Sequence, residues 1–255
     1  YGLKSAGASF RAHLAQCMRD MGYHSCLADP DLWMKKVDNP ATKTAYWSYI
    51  LCYVDDVLAI HHDAMSVLTC INAVLPLKEG STGDPDIYLG AKLRPMKLPN
   101  GVCAWGMSPS KYVQEACRTC KEFLANNFDG KYKMPPVGKA PNPFMTGYEP
   151  AVDVTPELNA QEASYYQTLV GVMRWMVEIG RIDIATELSL LSSHNALPRE
   201  GHLEAAIHVM GYLRDKHNSR IVFDPSVAPI DEKDFQQADW KEFYGDVKEP
   251  IPPNA

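Results

Sequence analysis

Apolar residues in the first part of the chain repeat with two different periods. From Phe10 to Met21 they recur every three or four residues, and Gly22 follows, which predicts a helix with a glycine just beyond its C-terminus. Asp63 stands at the N-cap position of a second predicted helix. Its buried side is assigned to Val67, Leu68, Ile71, Val74 and Leu75. Segments 32–37 and 45–53 are predicted to be strands, the second nearly continuous in apolar and aromatic residues, and 57–60 is another short apolar run.

A predicted hairpin and a third helix come next. The apolar runs Ile87–Leu93 and Val102–Met107 lie on either side of Pro99–Gly101, whose residues favour a turn. Ser108-Pro109 then provides an N-cap residue followed by proline at the first helical position. The helical pattern that begins there ends near Asn127.

Segment 129–156 interrupts these patterns. It holds six of the 19 prolines and has little periodicity, which is typical of a linker or a long surface loop. Beyond it the pattern predicts three helical segments and a strand, at 160–179, 183–196, 199–216 and 220–223. Strands mixed with helices therefore precede a helical block, which favours an α+β fold over a regular βαβ repeat.

Composition and charge narrow the classes of function. The chain has 255 residues, 46% hydrophobic and 22% charged, as in a globular protein of one or two domains. The net charge is −6, and residues 224–255 contribute −5 of it, with three Lys against eight Asp or Glu. The sequence therefore lacks the basic excess that usually accompanies nucleic-acid binding. It also lacks a secretory signal and an apolar run of the roughly 18 residues that would span a bilayer.

The seven cysteines are expected to be reduced. An odd number without a secretory signal argues against a disulfide framework and for a reducing compartment. Cys117 and Cys120 form a C-x-x-C pair inside a helical pattern. Because one pair supplies only two of the four ligands that zinc usually takes, we favour helix packing over a zinc site.

The clearest candidate chemistry lies between the second predicted strand and the short apolar run at 57–60. Tyr53-Val54-Asp55-Asp56 places two adjacent carboxylates between apolar runs that we expect to be buried. An Asp pair at a turn is unremarkable alone. However, no Lys or Arg occurs between Lys43 and Lys78, so both charges would lie beside a core without a counter-charge. A hard divalent cation such as Mg²⁺, which prefers carboxylate oxygen, would supply that charge.

His61-His62 offers a competing site for a transition metal. Neighbouring residues of a strand point to opposite faces of a sheet, so we expect that the two rings do not converge on one ion. Metal sites need several convergent ligands, and we therefore favour the carboxylate pair.

Tyr53-Val54-Asp55-Asp56 resembles the signature motif of reverse transcriptases, and its surroundings resemble the copia-type retrotransposon polymerases in particular. Further segments match that family in its order: Tyr1–Gly7, Ala28–Trp33, Tyr88–Gly90, Ser108–Tyr112, Tyr166–Gly171, Arg181–Ala185 and Pro198–Arg214. An ordered series over nearly the whole chain is far more specific than one four-residue motif.

The resemblance implies a division of the chain into four parts. Residues 1–128 would form part of the fingers and a reverse-transcriptase palm, with an antiparallel sheet and packed helices. Segment 129–156 would be the linker or loop, and 157–223 a mainly helical thumb and connection region. Residues 224–255 would be the truncated start of a ribonuclease H-like domain.

The resemblance also implies an activity, RNA-directed DNA synthesis on an RNA or DNA template. In the intact family the 3′-hydroxyl of a primer attacks the α-phosphate of a deoxynucleotide with the help of two Mg²⁺ ions, for which Mn²⁺ is an alternative. Partners would be the template-primer and deoxynucleotides, without a membrane, in a cytoplasmic particle or the nucleus of a eukaryotic cell. The oligomeric state is left open.

Five residues take site roles from the resemblance. Asp55 and Asp56 would be catalytic and bind the metal, with Asp55 the direct ligand and Asp56 supporting it. Tyr53 would lie near the primer end or the nucleotide. Gly2 and Lys4 would lie near the template or the nucleotide.

The sequence departs from the family in two places. The run Ser5–Ser9 lacks the proline that commonly follows the Tyr-Gly-Leu-Lys segment. Gln237 falls where the ribonuclease H domain has its first catalytic carboxylate, and an amide carries no charge to hold Mg²⁺, so no intact ribonuclease H site is expected. Both ends look cut from a longer protein, and the family has a further metal-binding Asp upstream. The chain alone is therefore expected to be inactive.

Other residues of the matching segments have structural interpretations. Asp183 is expected to cap its helix. His202 and His208 stand six residues apart, which is poor spacing for one helix face. Four aromatic residues are expected in the core: Trp33, Tyr112, Trp175 and Tyr212.

Two alternatives stay open at this point. A decayed or repurposed retroelement fragment, acting at most as a binding or interaction module, would account for the non-basic charge and for Gln237. The intact carboxylate pair favours the polymerase over that hypothesis. A mixed-fold protein with an accidental Tyr-Val-Asp-Asp turn would need all the other segments to match by coincidence.

We predict that a protease cleaves the chain first within segment 129–156, because proline-rich connections with little regular structure are preferred cleavage sites. Limited digestion with trypsin, which can cut after Lys131, Lys133 and Lys139, followed by mass spectrometry of the fragments measures it. Cleavage confined to the chain ends would contradict a flexible junction and leave the family resemblance standing.

Overall fold

A computed structural model describes residues 5–226, within which six α-helices and two antiparallel sheets form. The helices are α1 (Ala6–Asp20), α2 (Ala64–Val74), α3 (Ser110–Asn127), α4 (Ala160–Glu178), α5 (Ala185–Ser192) and α6 (Glu200–Asp215). The strands are β1 (His24–Ser25), β2 (Leu32–Asn39), β3 (Thr44–Tyr53), β4 (Asp56–Ile60), β5 (Ile87–Tyr88), β6 (Ala91–Lys97), β7 (Cys103–Ser108) and β8 (Ile221–Phe223). Antiparallel sheets combined with helices agree with the predicted α+β class.

The first sheet has the strand order β1-β2-β3-β4, and its buried face packs against α1 and α2. The shared core consists of Leu14, Cys17, Met18, Tyr23, Trp33, Ile50, Val67 and Ile71. The expectation that the strands on both sides of the Asp pair are buried was wrong. Burial alternates along β3, where Ser48 and Ile50 are fully buried and their neighbours are not, because helices cover only one face of the sheet.

The second sheet has the order β5-β6-β7-β8. The single strand predicted at Ile87–Leu93 is in fact two strands, β5 and β6, joined by the two-residue turn Leu89-Gly90. Both turn residues have positive φ, +52° and +81°, as in the type I′ turns that connect twisted strands. The last strand of the described range, β8, returns to pair with β7, so residues from both sides of segment 129–156 build this sheet.

A second core lies among helices α3, α4, α5 and α6. Cys117 and Cys120 are buried in it, which confirms their assignment to helix packing. Burial raises the pKa of Cys117 to about 12 and that of Cys120 to about 11, so both thiols stay protonated at neutral pH. Because α3 precedes segment 129–156 and the other three helices follow it, this core also joins residues from both sides of that segment.

The predicted helix ends were right in three places. Gly22 follows α1 with φ +80°, the Asp63 side chain accepts a hydrogen bond from the Ser66 N–H, and α3 ends at Asn127. The prediction that Ser108 is the N-cap of α3 was wrong. The helix begins at Ser110, and the Ser108 hydroxyl instead donates a hydrogen bond to the Ser219 carbonyl at 2.8 Å.

Two further sequence assignments were wrong. Val74, placed on the buried side of α2, is 51% exposed because it occupies the last turn, beyond the edge of the first core. Asp183 does not cap α5, which has no side-chain cap, since its carboxylate is held by the Arg181 guanidinium.

Segment 129–156 contacts helix α6 through several hydrogen bonds. Arg214 donates to the Pro135 carbonyl at 2.8 Å, and the Gly138 N–H donates to the Asp215 carboxylate at 2.8 Å. The division of the chain at this segment stays a prediction.

The ribonuclease H-like start predicted at 224–255 lies outside the described residues except for 224–226, and Gln237 lies outside them. Among residues 5–226, no helix has the length and apolar character needed to cross a membrane.

We predict that Gly211→Ala destabilises the protein while Gly171→Ala does not, although both glycines lie inside helices. A Cβ at Gly211 would meet the Pro135 ring at 2.9 Å, whereas a Cβ at Gly171 would meet nothing within 4 Å. We expect Gly211→Ala to lower the free energy of unfolding by about 1–3 kcal/mol. Gly171→Ala should raise it by up to about 1 kcal/mol through better helix propensity. Urea unfolding measures both, and equal effects would mean that segment 129–156 does not pack on α6 in solution.

Candidate functional site

The two adjacent carboxylates lie at the tip of the hairpin formed by β3 and β4. Only Val54 and Asp55 separate the strands, because Tyr53 is the last residue of β3 and pairs directly with Asp56, the first residue of β4. The predicted tight turn between two antiparallel strands of one sheet is therefore confirmed. Asp55 lies in the turn itself, and Asp56 is held by the strand register, so the two carboxylates leave the backbone at different points of the same tip.

The backbone of this turn is strained at Val54. Its φ is +55°, a region that a β-branched residue rarely adopts because its side chain crowds the backbone. The side chain is 75% exposed, so its own burial offers little compensation. Strain of this kind persists where surrounding structure imposes it, and it clusters at functional sites. Sequence reasoning missed this feature, since Val54 was treated only as part of a motif.

The charges of Asp55 and Asp56 have no counter-charge in the described part of the chain. Both residues are exposed, and neither carboxylate makes a hydrogen bond or an ion pair with another of residues 5–226. Their oxygens are hard acceptors with free coordination capacity. Across the same residues, no group of three or more His, Cys, Asp or Glu side chains is arranged to hold a metal. Within the described residues, the turn thus offers only Asp55 and Asp56 as metal ligands.

An aromatic contact links the turn to the helical part of the protein. The ring of Tyr53 lies 6.1 Å from the ring of Trp175 on α4, with an angle of 44° between their planes. Trp175 is half-buried, and it faces the tip of the hairpin, contrary to its assignment to the core. Only the tertiary structure brings these residues together, since more than a hundred residues separate them in the chain.

Tyr88 directly precedes the second tight turn, Leu89-Gly90, and is half-buried. Burial, with added repulsion from Cys52, Asp56 and Asp29, raises the pKa of Tyr88 to about 12, so its hydroxyl stays protonated. The site thus has two carboxylates at its tip and an aromatic contact with α4.

The amino-acid sequence of the chain is similar to that of a known protein. A protein of Saccharomyces cerevisiae whose name assigns it to the transposon Ty5-1 is 28% identical to the chain over 220 residues, which is 84% of this chain. The chain resembles a transposon protein. It spans 62% of the length of that yeast protein. No protein-family profile matches the chain, and no solved structure matches it.

The remaining predicted site residues fall in different places. Tyr53, Asp55 and Asp56 lie together at the hairpin tip, whereas Gly2 and Lys4 lie outside the described residues. Their role near a template or nucleotide stays a prediction.

We had expected His61 and His62 to point to opposite faces of a strand, and this was wrong. β4 ends at Ile60, so His61 and His62 lie beyond it, and their rings stack at 4.2 Å. Tyr46 holds His62 through a 2.6 Å hydrogen bond to Nδ1, and the Asp63 N–H donates to Nδ1 of His61. Burial lowers the pKa of His61, which favours its neutral form. Both histidines thus have structural partners.

Asp183 and His202, which belong to the family-like segments after residue 180, also have structural partners. The Asp183 carboxylate accepts two hydrogen bonds from Arg181, at 2.8 and 2.7 Å, and one from the Tyr212 hydroxyl at 2.9 Å. His202 is buried, with Nδ1 accepting from the Arg199 N–H and Nε2 3.0 Å from the Pro150 carbonyl. These groups are fully engaged and offer no free chemistry.

We predict that Val54→Gly stabilises the protein, because glycine adopts a φ of +55° without the steric cost that valine has. Relief of roughly 1–2 kcal/mol of strain, offset by the greater backbone freedom of glycine when unfolded, should raise the free energy of unfolding by up to about 1 kcal/mol. Val57→Gly, in the adjoining strand β4, is the control and should lower it. Thermal and urea unfolding measure both, and a loss of stability in both variants would contradict the left-handed turn.

Proposed function

We propose that the chain is part of a copia-type reverse transcriptase, and that Asp55 and Asp56 are the carboxylates through which it binds the catalytic Mg²⁺ ions. The observation that carries the proposal is the hairpin tip, where both carboxylates are exposed and have no counter-charge among the described residues. The likeness to a transposon protein over 84% of the chain and the ordered family-like segments support the same conclusion.

The chemistry of the two side chains fits a magnesium site of the polymerase kind. Mg²⁺ in such sites is usually held by one or two carboxylates together with substrate phosphates, and it does not need a cage of protein ligands. Asp55 and Asp56 supply two such carboxylates, and neither of them is engaged by another of residues 5–226. When bound, Mg²⁺ would activate the primer hydroxyl and stabilise the charge on the leaving pyrophosphate.

The hairpin holds the two carboxylates by different means, which suggests different roles. Asp56 belongs to the ladder of β3 and β4, since it pairs with Tyr53. Asp55 projects from the turn beyond that ladder, where it is accessible to a metal and to a phosphate from several directions. We therefore assign direct metal binding to Asp55 and a supporting role to Asp56.

Tyr53 would help to form the surface on which the primer end or the nucleotide lies. Its side chain is 46% exposed, and the contact with Trp175 limits the positions that its ring can take. A flat ring that is held on one side and open on the other is suited to stacking against a base or a sugar. In this proposal Trp175 positions Tyr53 and does not touch the reacting atoms.

A repurposed element without catalysis is the alternative, and the net charge of −6 is the observation that favours it. A polymerase must hold a polyanion, and a protein with an acidic balance gains little long-range attraction for one. The alternative predicts that the carboxylates of the hairpin tip can be neutralised without loss of any activity.

We predict that Asp55→Asn abolishes metal-dependent DNA synthesis and that Asp56→Asn greatly weakens it. The test is primer extension with Mg²⁺ by a longer form of the protein that continues upstream of Tyr1. Because neutralising a ligand removes several kcal/mol of charge stabilisation, we expect Asp55→Asn to reduce the rate by more than about a hundredfold. Binding of Mn²⁺, followed by electron paramagnetic resonance, should weaken in parallel.

Asp63→Asn is the matched control. It removes one negative charge eight residues away from Asp55, and Asn preserves the N-cap of α2. This variant should extend primers at the normal rate. If Asp55→Asn retains full activity, the proposed site is wrong. If the longer wild-type protein binds template-primer and Mn²⁺ yet extends no primer, the repurposed element is favoured.

A further inference from the structure

A cavity of about 780 Å³ lies beside the second sheet. Its walls come from β6 and β7, from the turn before β6, from the beginning of α3 and from residues 218–220 between α6 and β8. Among residues 5–226, no acidic residue contributes to the lining, whereas four basic residues do, Lys92, Arg94, Lys111 and Arg220. The cavity is therefore a cationic surface in a protein whose net charge is −6.

The described part of the chain neutralises these cations poorly. Asp86 lies 3.5 Å from the Lys92 ammonium, but both groups are largely exposed, so this pair is weak. Within residues 5–226, the other three cations form no ion pair with a carboxylate. A cleft lined by charges of one sign concentrates groups of the opposite sign, so the cavity favours an anionic occupant.

The chain leaves the described residues beside this cavity. Phe223, the last residue of β8, pairs with Trp105 of β7, and Trp105 pairs in turn with Pro95, which lines the cavity. Because neighbouring strands lie about 5 Å apart, the end of β8 is about 10 Å from the Pro95 backbone. β8 is also the last strand in the order of its sheet, so within residues 5–226 no further strand pairs with its outer edge. The residues that follow β8 therefore start close to the four cations.

The sequence that follows is acidic. Residues 227–255 contain seven Asp or Glu against three Lys, and their first acidic cluster consists of Asp231, Glu232 and Asp234. Seven residues separate Phe223 from Asp231. A connection of that length reaches up to about 25 Å when extended, which is enough to cross the two strands between β8 and Pro95. The acidic cluster can therefore reach the cavity of its own chain.

We propose that the acidic cluster binds in the cationic cavity of the same chain and covers it. The guanidinium groups of Arg94 and Arg220 can each donate paired hydrogen bonds to a carboxylate, and the two ammonium groups add charge. The short connection gives the cluster a local concentration on the order of millimolar, which favours it over the same cluster of a second copy. The proposal goes beyond the proposed function, because it needs neither metal binding nor DNA synthesis.

Zero-length cross-linking of the full chain tests the contact directly. A carbodiimide joins a lysine ammonium to a carboxylate only where the two groups meet, and mass spectrometry identifies the joined peptides. We expect Lys92 or Lys111 to be joined to the acidic cluster, and the exposed Lys36 and Lys121, which lie outside the cavity, to remain unjoined to it. A mixture of isotope-labelled and unlabelled chains shows whether the joined residues belong to one molecule.

Two charge-matched variants of the full chain test which carboxylates are responsible. The cluster variant carries Asp231→Asn, Glu232→Gln and Asp234→Asn. The control variant removes the same charge from the same segment through Asp239→Asn, Glu242→Gln and Asp246→Asn. The rate at which acetic anhydride acetylates each lysine is measured by mass spectrometry. We expect the cluster variant to raise this rate at Lys92 and Lys111 by about threefold or more, and the control variant by less than about 1.5-fold.

Salt provides a second measurement that needs no substitution. Because salt screens ion pairs between accessible groups, high salt should raise the acetylation rates of Lys92 and Lys111 in the wild-type chain and have little effect in the cluster variant. Lys36 and Lys121 are references within the same digest and should keep their rates throughout. Circular dichroism and thermal unfolding check that each variant is folded.

Three results would overturn the proposal. Cross-links of Lys92 and Lys111 that avoid the acidic cluster, or that join only different molecules, would assign the cavity to another occupant or to a second copy. Equal acceleration in both variants would indicate an effect of overall charge, and unchanged rates in the cluster variant would show that the cluster does not cover the lysines. Asp55→Asn/Asp56→Asn should leave all these rates unchanged, so failure of the proposed function would show in primer extension alone.

Discussion

The short connection between β3 and β4 determines where the charged tip of the first sheet lies. Two-residue hairpin turns favour a positive φ at their first residue, because that backbone matches the twist of the strands, and Val54 adopts it at a steric cost. The pairing of Tyr53 with Asp56 then sets the register of the whole hairpin, because each residue of β4 follows from it. A slip of one residue would exchange the buried and exposed faces of β3 and remove Ile50 from the first core. The position of the carboxylates and the packing of the sheet are thus consequences of one turn.

Two buried charged groups elsewhere in residues 5–226 have partners of opposite charge, unlike the exposed carboxylates of the hairpin tip. The Arg181 guanidinium is fully buried, but it donates two hydrogen bonds to Asp183, and the Tyr212 hydroxyl donates a third. Burial by itself would raise the pKa of Asp183, yet these hydrogen bonds hold it below its usual range. Glu162, 4% exposed, is likewise held by Lys131 at 2.8 Å. The carboxylates of Asp55 and Asp56, in contrast, have no such partner within residues 5–226 and lie where solvent and a ligand can reach them.

The second sheet and the helical core each combine residues from both sides of segment 129–156. α3 packs against α4 and α6, and β8 pairs with β7, so each of these assemblies draws on residues before and after segment 129–156. The same convergence forms a cavity whose lining includes Lys92, Arg94, Lys111 and Arg220, since its walls come from β6, β7, the start of α3 and the residues that follow α6. The hairpin tip, in contrast, is local in sequence.

The sequence by itself determined the helices and strands with strong periodicity, the α+β class, the cap at Asp63 and the hairpin tip at Asp55 and Asp56. These features depend on residues close together in the chain, where the spacing of apolar positions and the preferences of turn residues are decisive. Only the tertiary structure decided that the Tyr212 hydroxyl reaches Asp183 and that Trp175 faces Tyr53. It also decided that four scattered cations line one cavity. Each of these outcomes depends on which distant segments pack together, and local patterns of hydrophobicity carry no information about the partner that a polar or aromatic side chain will meet.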